Sequence, residues 1–289
     1  MGFGVFVPLI GVIAAIVLFW GYGVGWLQVG LLAGFYCLSI LGVTIGFHRM
    51  FTHRALEAGP ALRGLLAIAG SMSAQGPVLE WCAVHRAHHK FSDRKGDPHS
   101  PHLHGEGIAA MLKGMLHSHI GWLFQVESDA GPVNVADLLA DPVLRFVDRF
   151  FWVWMIAGWI VPGIIAGVIL HSWMGALSGV IWGGLVRTFL LHHVTWSINS
   201  VCHVWGTQPF DLPDESRNNP FFGLLAFGEG WHNNHHAFPT SARHGLRWWQ
   251  LDTTWLAIKV LKMAGLVRNV RVPAASAIQT RLASRLATE

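Results

Sequence analysis

The stretch His85-Arg86-Ala87-His88-His89 is echoed far downstream by His232-Asn233-Asn234-His235-His236. On a helix, positions i, i+3 and i+4 share one face within about one turn, so each stretch aims three imidazoles at a point just off its surface. Imidazole suits iron, zinc, copper and nickel. His48 and His53, in His-Arg-Met-Phe-Thr-His, precede both stretches. Five residues apart, they are splayed by about 140° on a regular helix. They reach two metals, or a single one if the helix frays. Asn199-Ser200-Val201-Cys202-His203 adds an i, i+4 pair, which serves either as ligands or as a hydrogen-bonded pair within a helix. Chance or helix capping explains one pair of histidines but not this repeated pattern. The motif marks a metal site.

The imidazoles of these motifs exceed what one ion can use, since zinc sites close at about four ligands. Two ions of four or five ligands each match the number. Without Cys or carboxylate in the motifs, the set is unlike a structural zinc site and suits a redox metal that keeps an open position. Iron fits best, with zinc and copper behind it. Asp93, Asp97 and Glu229 either orient ligand imidazoles through their second N–H or are solvated loop charges. His99, His102, His104, His117, His119, His171, His192, His193 and His244 lack the repeated motif and read as supporting or surface groups.

Of the 289 residues, 12% are charged and 52% hydrophobic, with 15 Trp and 17 Phe, so a bilayer is the natural solvent. The net charge of +4 and the absence of a basic run argue against nucleic acid. Cys37, Cys82 and Cys202 are too scattered for a disulfide framework and read as reduced, packed thiols. No charge precedes Arg49, and none lies from Phe150 to Val186. These two regions hold four apolar stretches of membrane-spanning length, at about 5–21, 27–46, 151–169 and 173–190. The first pair turns near Gly21-Tyr22-Gly23 and the second near His171-Ser172-Trp173. A cleaved signal peptide fails on the missing basic n-region and cleavage site. Leu62 to Leu79 reads as an amphipathic or partly embedded interfacial helix. Every Lys, Arg, Asp and Glu falls in Arg49–Arg149 or Arg187–Glu289. Two hairpins therefore return 47–150 and 191–289 to one side, which the positive-inside rule makes cytoplasmic. The tail after 273 reads as a loosely ordered helix.

With these motifs in view, the sequence resembles the membrane fatty acid desaturases, in the stearoyl-CoA (delta-9) desaturase-like branch. The resemblance runs from about Gly42 to Trp249. It is carried by Gly-Phe-His-Arg-Met-Phe-Thr-His, His-Arg-Ala-His-His-Lys-Phe-Ser-Asp, Asp97-Pro98-His99, His119-Ile120-Gly121-Trp122, Asn199 to His203, and Gly228-Glu229-Gly230-Trp231-His232 to His236. It implies an all-α polytopic membrane protein, a single domain over 1–289 with four transmembrane helices under a cytosolic helical cap. It further implies a di-iron centre held by His48, His53, His85, His88, His89, His203, His232, His235 and His236, with Asn199 contacting one iron through water. Gln75, Trp81, Thr195 and Trp196 match the positions that bend the family's acyl tunnel; without the resemblance both tryptophans read as core or interface anchors.

The implied activity is insertion of a cis double bond at delta-9 into a saturated acyl-CoA or acyl-lipid, using O2 and two electrons. An unactivated methylene offers no acidic proton, so a metal must supply the oxidant. The segment between His99 and His117 is longer than the usual animal spacing, and the polar extension before the first span of animal members is missing. Both bear on the acyl carrier. With no haem-binding His-Pro-Gly-Gly segment, electrons come from a separate protein, either ferredoxin-type or a b-type cytochrome with its reductase. A lipid or alkane hydroxylase on the same scaffold is the rival reading. A histidine-rich metal transporter would place ligands near the bilayer midplane, whereas these lie at or beyond the span ends.

Overall fold

The computed structural model describes residues 2–19, 24–125 and 135–286. Helices dominate: α1 (Gly2–Phe19), α2 (Trp26–Leu41), α3 (Pro60–Ser71), α4 (Val78–Phe91), α5 (Ile108–His119), α6 (Ala136–Leu139), α7 (Pro142–Arg149), α8 (Phe151–Leu170), α9 (Trp173–Gly179), α10 (Arg187–Ser200), α11 (Pro220–Leu225), α12 (His232–Ala237), α13 (Thr253–Met263) and α14 (Ala275–Leu286). Two short strands, β1 (Glu57–Ala58) and β2 (Val267–Arg268), pair antiparallel.

Three rods among the described residues are long and apolar enough to cross about 30 Å of hydrocarbon: Trp26–Thr52, Phe151–Leu170 and Trp173–His203. The first is α2 running straight into a π-helix, Gly42–Thr52. The third joins α9, a π-helical turn at Val180–Val186, α10 and a 3₁₀ turn at Val201–His203. The stretch expected to span at 5–21 is the shorter apolar helix α1. The turn expected at Gly21-Tyr22-Gly23 lies outside the described residues. The second turn is where expected. His171 adopts φ 47°, ending α8 in the left-handed region, and Ser172 opens α9 by accepting from the Gly175 amide.

Charge does not mark the span ends as cleanly as the sequence suggests. Arg49 and Arg187 lie inside the first and third rods, both at 0% exposure. Arg187 is tolerated because its donors are met by neighbouring segments. Nε donates to the Gly183 carbonyl at 3.2 Å, Nη1 to Ser39 Oγ and the Met72 carbonyl, and Nη2 to the Gly158 carbonyl at 2.9 Å. Cys82 and Cys202 are buried free thiols, but Cys37 is exposed. The tail forms α14, and Arg281 sets its guanidinium 5.1 Å over the Phe238 ring.

The single interfacial helix expected over Leu62–Leu79 is in fact two elements. α3 stops at Ser71, and Gly76 at φ 108° and Pro77 reset the chain before α4. Pro77 lacks the N–H a continuing helix needs and disfavours helical backbone at the residue before it. α3 presses against the π-helix backbone to backbone. A Cβ on Gly42 would lie 2.2 Å from the Gly70 nitrogen, and one on Gly70 would lie 2.5 Å from the Phe47 ring. Around that contact Ile45, Phe47, Phe51, Val78, Cys82, Leu144 and Ile258 form the main core, tying the π-helix to α4, α7 and α13.

Candidate metal centre

The π-helix places the first pair of candidate ligands, His48 and His53. Its i→i+5 bonding includes the His53 amide donating to the His48 carbonyl at 3.1 Å, so five residues make about one turn. The rings that a regular helix would splay lie 4.8 Å apart, centroid to centroid. The i, i+4 reading of Asn199 and His203 is likewise corrected, because α10 gives way to the 3₁₀ turn at Val201 and His203 sits on the tighter spiral.

All nine motif histidines converge, in two groups whose ligating atoms lie within 4.8 Å of one another. The first group is His48, His53, His85, His89 and His235; the second is His88, His203, His232 and His236. The expectation that each triplet shares one focus is therefore corrected. On α4 the i and i+4 residues, His85 and His89, serve the first group and His88 the second. On α12 the assignment is reversed: His232 and His236 serve the second group and His235 the first. The two groups abut, with the His89 and His236 rings 4.5 Å apart.

Within each group Nε2 atoms face Nε2 atoms. His48 to His235 is 3.1 Å, His53 to His85 3.1 Å and His89 to His235 2.8 Å. In the second group His203 to His232 is 3.0 Å, His232 to His236 3.1 Å and His88 to His236 3.4 Å. Carboxylates hold the other nitrogen of several rings. His48 Nδ1 donates to Glu229 at 2.5 Å, His203 Nδ1 to Asp93 at 2.8 Å, and His88 Nδ1 to Asp97 and His236 Nδ1 to Asp214 at 3.1 Å each. The proton on Nδ1 leaves Nε2 with an inward lone pair. Lone pairs at such distances repel, and a cation among them removes the repulsion. The donor set fits a transition metal that accepts imidazole.

The protonation states agree for five of the nine rings, whereas at His88 Asp97 outweighs burial and lifts the imidazole above its ordinary range. Burial first, and then the surrounding imidazoles, hold His53, His85, His89, His232 and His235 well below the ordinary histidine range, so they are neutral. Burial alone would raise the carboxyls. His203 on Asp93, His88 on Asp97, His236 on Asp214, and His48, His244 and Arg49 on Glu229 outweigh it and hold these acids below their usual range. Asp93, Asp97 and Glu229 thus meet imidazoles of the two groups and are not solvated loop charges.

Sequence reasoning missed part of this support. Asp214 carried no signal, because it lies outside every motif. Arg49 Nη2 donates to Glu229 at 3.0 Å, and Asp252 receives both its η nitrogens at 3.0 and 3.2 Å, linking the π-helix to the loop before α13. An arginine inside an otherwise uncharged apolar stretch was the available clue. α12 is only six residues long and is held by its two asparagines. Asn233 exchanges hydrogen bonds with the Phe210 backbone, and Asn234 bonds Asn218, Gln250 and the His244 carbonyl. Of the remaining histidines, His99 lies 4.4 Å from the His88 ring and His244 4.5 Å from His235, both buried. His119 bridges Ser200 and His193, His102 meets the His203 carbonyl, and His171 is exposed.

A cavity adjoins the first group. His85 and Asn199 line it together with all four expected tunnel residues, Gln75, Trp81, Thr195 and Trp196. Trp81 Nε1 donates to Gln75 Oε1 at 3.2 Å, and Gln75 Nε2 donates to Thr195 Oγ1 at 3.1 Å, so α4, the turn before it and α10 are cross-tied along the cavity wall.

These features define a class: histidine clusters able to hold metal, set on long apolar helices beside a cavity. A family model for fatty acid desaturases matches residues 24–270. The chain is 44% identical over 277 residues to a hex-5-enoyl-[acyl-carrier protein] acetylenase of Moorena producens (strain JHB), covering 95% of this chain and 86% of the relative. It is 39% identical over 250 residues to an sn-1 stearoyl-lipid 9-desaturase of Anabaena variabilis, covering 86% and 85%. A chloroplastic palmitoyl-monogalactosyldiacylglycerol delta-7 desaturase of Arabidopsis thaliana is 40% identical over 253 residues, covering 86% and 63%. The chain belongs to the fatty acid desaturase family, a family of oxidoreductases acting on fatty acyl substrates.

Proposed function

We propose that the protein is a polytopic membrane enzyme that introduces a cis double bond, at delta-9, into a saturated acyl chain carried as acyl-CoA or acyl-lipid. The observation that carries this is the cavity: it runs past His85, a ligand of the first group, and is walled by the cross-tied Gln75, Trp81, Thr195 and Trp196. The two imidazole groups would hold two iron ions, and iron bound there supplies the O2-dependent oxidation. Two hydrogens leave adjacent methylenes, and with two electrons and two protons from outside O2 is reduced to two waters. The chain's own contribution is position. A cavity walled by Trp81, Trp196 and the Gln75–Thr195 pair would fix which carbons stand beside His85 and Asn199.

The architecture behind this reading is a single domain over 1–289, with α1 as a fourth span and 47–150 and 191–289 forming a cytosolic cap. A separate protein, of ferredoxin or cytochrome b type, supplies electrons at that cytoplasmic face. A second reading, conversion of an existing double bond to a triple bond on a protein-bound chain, is favoured by the 44% identity to the acetylenase.

The test is expression in a host lacking its own desaturase, followed by gas chromatography and mass spectrometry of total fatty acids. A delta-9 monounsaturated product is expected. Hydroxy acids would replace the reading with the hydroxylase one, and an acetylenic product with unchanged saturated acids would support the second reading.

A further inference from the structure

The short helix α11 belongs to the second charged block, yet it docks deep against a membrane-spanning rod. Its Leu225 carbonyl accepts from the Tyr36 hydroxyl on α2 at 2.8 Å, and Phe222, Ala226 and Phe227 pack with Ile40 and Leu191. Arg187 gives the level of this contact, because it bonds both Ser39 on α2 and the Gly158 carbonyl on α8. Gly158 stands about 10 Å along α8 from Phe151, its cytoplasmic end in the topology proposed above. Tyr36 lies nearly one turn further from the cytoplasm than Ser39. The segment is also built to do without water. Pro220 has no N–H, the Phe221 and Phe222 amides donate to Asn219 Oδ1, and the Gly223 amide donates to the Asn219 carbonyl. The carbonyls of Phe222, Gly223, Leu224 and Ala226 accept from the amides of Ala226, Gly228, Phe227 and Glu229. With the Tyr36 bond, no carbonyl from Phe222 to Ala226 is left over, as backbone at membrane depth requires. The outer face is nevertheless bare among the described residues. Phe221 is 62% and Leu224 55% exposed, and exposed Trp205 and Trp248 flank them.

Nearer the cytoplasm, charge of one sign appears. Thr44, about 10 Å further along the first rod than Tyr36, meets Thr254 at the start of α13, hydroxyl to hydroxyl at 2.8 Å. α13 exposes Lys259 and Lys262 beside Leu256, Val260 and Met263, and Arg247 is exposed next to Trp248. Between Asn218 and Thr288 the only acids are Glu229 and Asp252, both buried and both bonded to Arg49. Apolar side chains below, indoles between and cations above reproduce the layering of a cytoplasmic leaflet with anionic lipid. We propose that α11 is a re-entrant lipid anchor, with Phe221 and Leu224 among the acyl chains of the cytoplasmic leaflet and Lys259 and Lys262 at its anionic headgroups. The proposal rests on the membrane reading above and moves this part of 191–289 from the cytosol into the bilayer. An acidic soluble protein would suit the lysines, but it could not reach Phe221 and Leu224 at the level of Tyr36 without displacing lipid.

The test uses the full-length protein in nanodiscs of phosphatidylcholine and phosphatidylglycerol. Cys82 and Cys202 are buried, so a Cys37→Ser background takes a nitroxide at one introduced cysteine. Phe221→Cys and Leu224→Cys report on α11, Ile164→Cys on the exposed flank of α8, and Glu106→Cys on an exposed loop of the first charged block. Electron paramagnetic resonance reads the access of each label to O2 and to a water-soluble nickel chelate. The O2-to-nickel ratio at 221 and 224 should match that at 164 and exceed that at 106 at least about tenfold. A ratio at 221 and 224 equal to that at 106 overturns the anchor and leaves the membrane reading intact. A ratio at 164 that also equals that at 106 overturns the membrane reading itself. Low access to both reagents at 221 and 224 would mean that protein covers α11, and it overturns the anchor too. Unsubstituted protein gives an independent check by photolysis with phosphatidylcholine that carries a diazirine midway along its acyl chain. Crosslinks are expected within Pro220–Leu225, and their absence there while α8 is labelled overturns the anchor. On the headgroup of phosphatidylglycerol the diazirine should label Thr253–Met263 instead, and no label there overturns the assignment of the lysines.

Discussion

Asp93→Asn isolates what a carboxylate contributes to the second imidazole group. Asp93 Oδ2 accepts from His203 Nδ1 at 2.8 Å and from the Glu215 amide at 2.9 Å, while Oδ1 accepts from Ser100 Oγ at 2.6 Å. An asparagine can place its oxygen where Oδ2 stands and turn its amide toward the Ser100 hydroxyl, which rotates to accept. Asp93 has φ 56°, a left-handed conformation that Asn tolerates well. The substitution therefore keeps shape, backbone and hydrogen bonds and removes only the charge that makes His203 a better donor to metal. Loss of such support costs about 10–100-fold in metal affinity, equivalent to about 1.4–2.7 kcal/mol. Three of the four imidazoles in the second group lean on carboxylates, against His48 alone in the first, so the second group should release its metal last in the native chain. In Asp93→Asn that order narrows or reverses. Equilibration against graded chelator, with bound metal counted by mass spectrometry and helicity checked by circular dichroism, reads both midpoints. A variant with native helicity and an unshifted second-group midpoint refutes the role assigned to the carboxylate.

Thr195→Val removes the acceptor for Gln75 Nε2 and Trp196→Phe trims the cavity wall, so each should shift or mix the double-bond position while folded yield and metal content hold; unchanged position with only a lower Tm would make both ordinary core. Gly42→Ala would set a Cβ 2.2 Å from the backbone of Gly70, forcing the π-helix off α3 at about 1–3 kcal/mol, and the first group should lose metal before the second; wild-type Tm and metal content would refute this. Impermeant thiol reagents added from outside should label a cysteine placed at Ser172 and not one at Ser100 or Ser241, with the reverse pattern refuting the cytoplasmic placement of the cap. His119 is lowered to about 4, by burial and then by His193, so the unfolded chain binds its proton first. Metal-free protein should therefore lose thermal stability as pH falls from about 6.5 toward 4 and stay level above 6.5; a flat profile across that window refutes it.

Local pattern made the ligands legible and tertiary context hid their partition. The i, i+3, i+4 spacing identifies six of the nine motif histidines, those of α4 and α12, because it depends only on helix geometry. Which focus each ring serves depends on the approach of α12 to α4, which no spacing encodes. His48 and His53 look mismatched for the same reason. Their five-residue separation becomes an advantage only in a π-helix, and that helix is fixed by glycine contacts with α3, an element distant in sequence. Uncharged runs located the long helices but misjudged the ends. A guanidinium buried against carbonyls, as at Arg187, is indistinguishable in sequence from one in water. The acids were ambiguous until the loops folded, since Asp93 and Asp214 become ligand supports only when His203 and His236 are brought to them.

The crosswise sharing has a mechanical consequence. Because α4 and α12 each contribute to both imidazole groups, neither group can shift without moving the other, and the abutting rings of His89 and His236 fix their separation. The π-helix enters this frame from one side through His48, and Arg49, the next residue, ties the same point to Glu229 and Asp252. One turn of backbone thus carries both His48 and Arg49, the imidazole that meets Glu229 and the counter-charge of that acid. Removing Arg49 would leave Glu229 and Asp252 buried with an uncompensated charge, which is why an arginine sits at the end of an apolar rod where the bare sequence suggested only a span boundary.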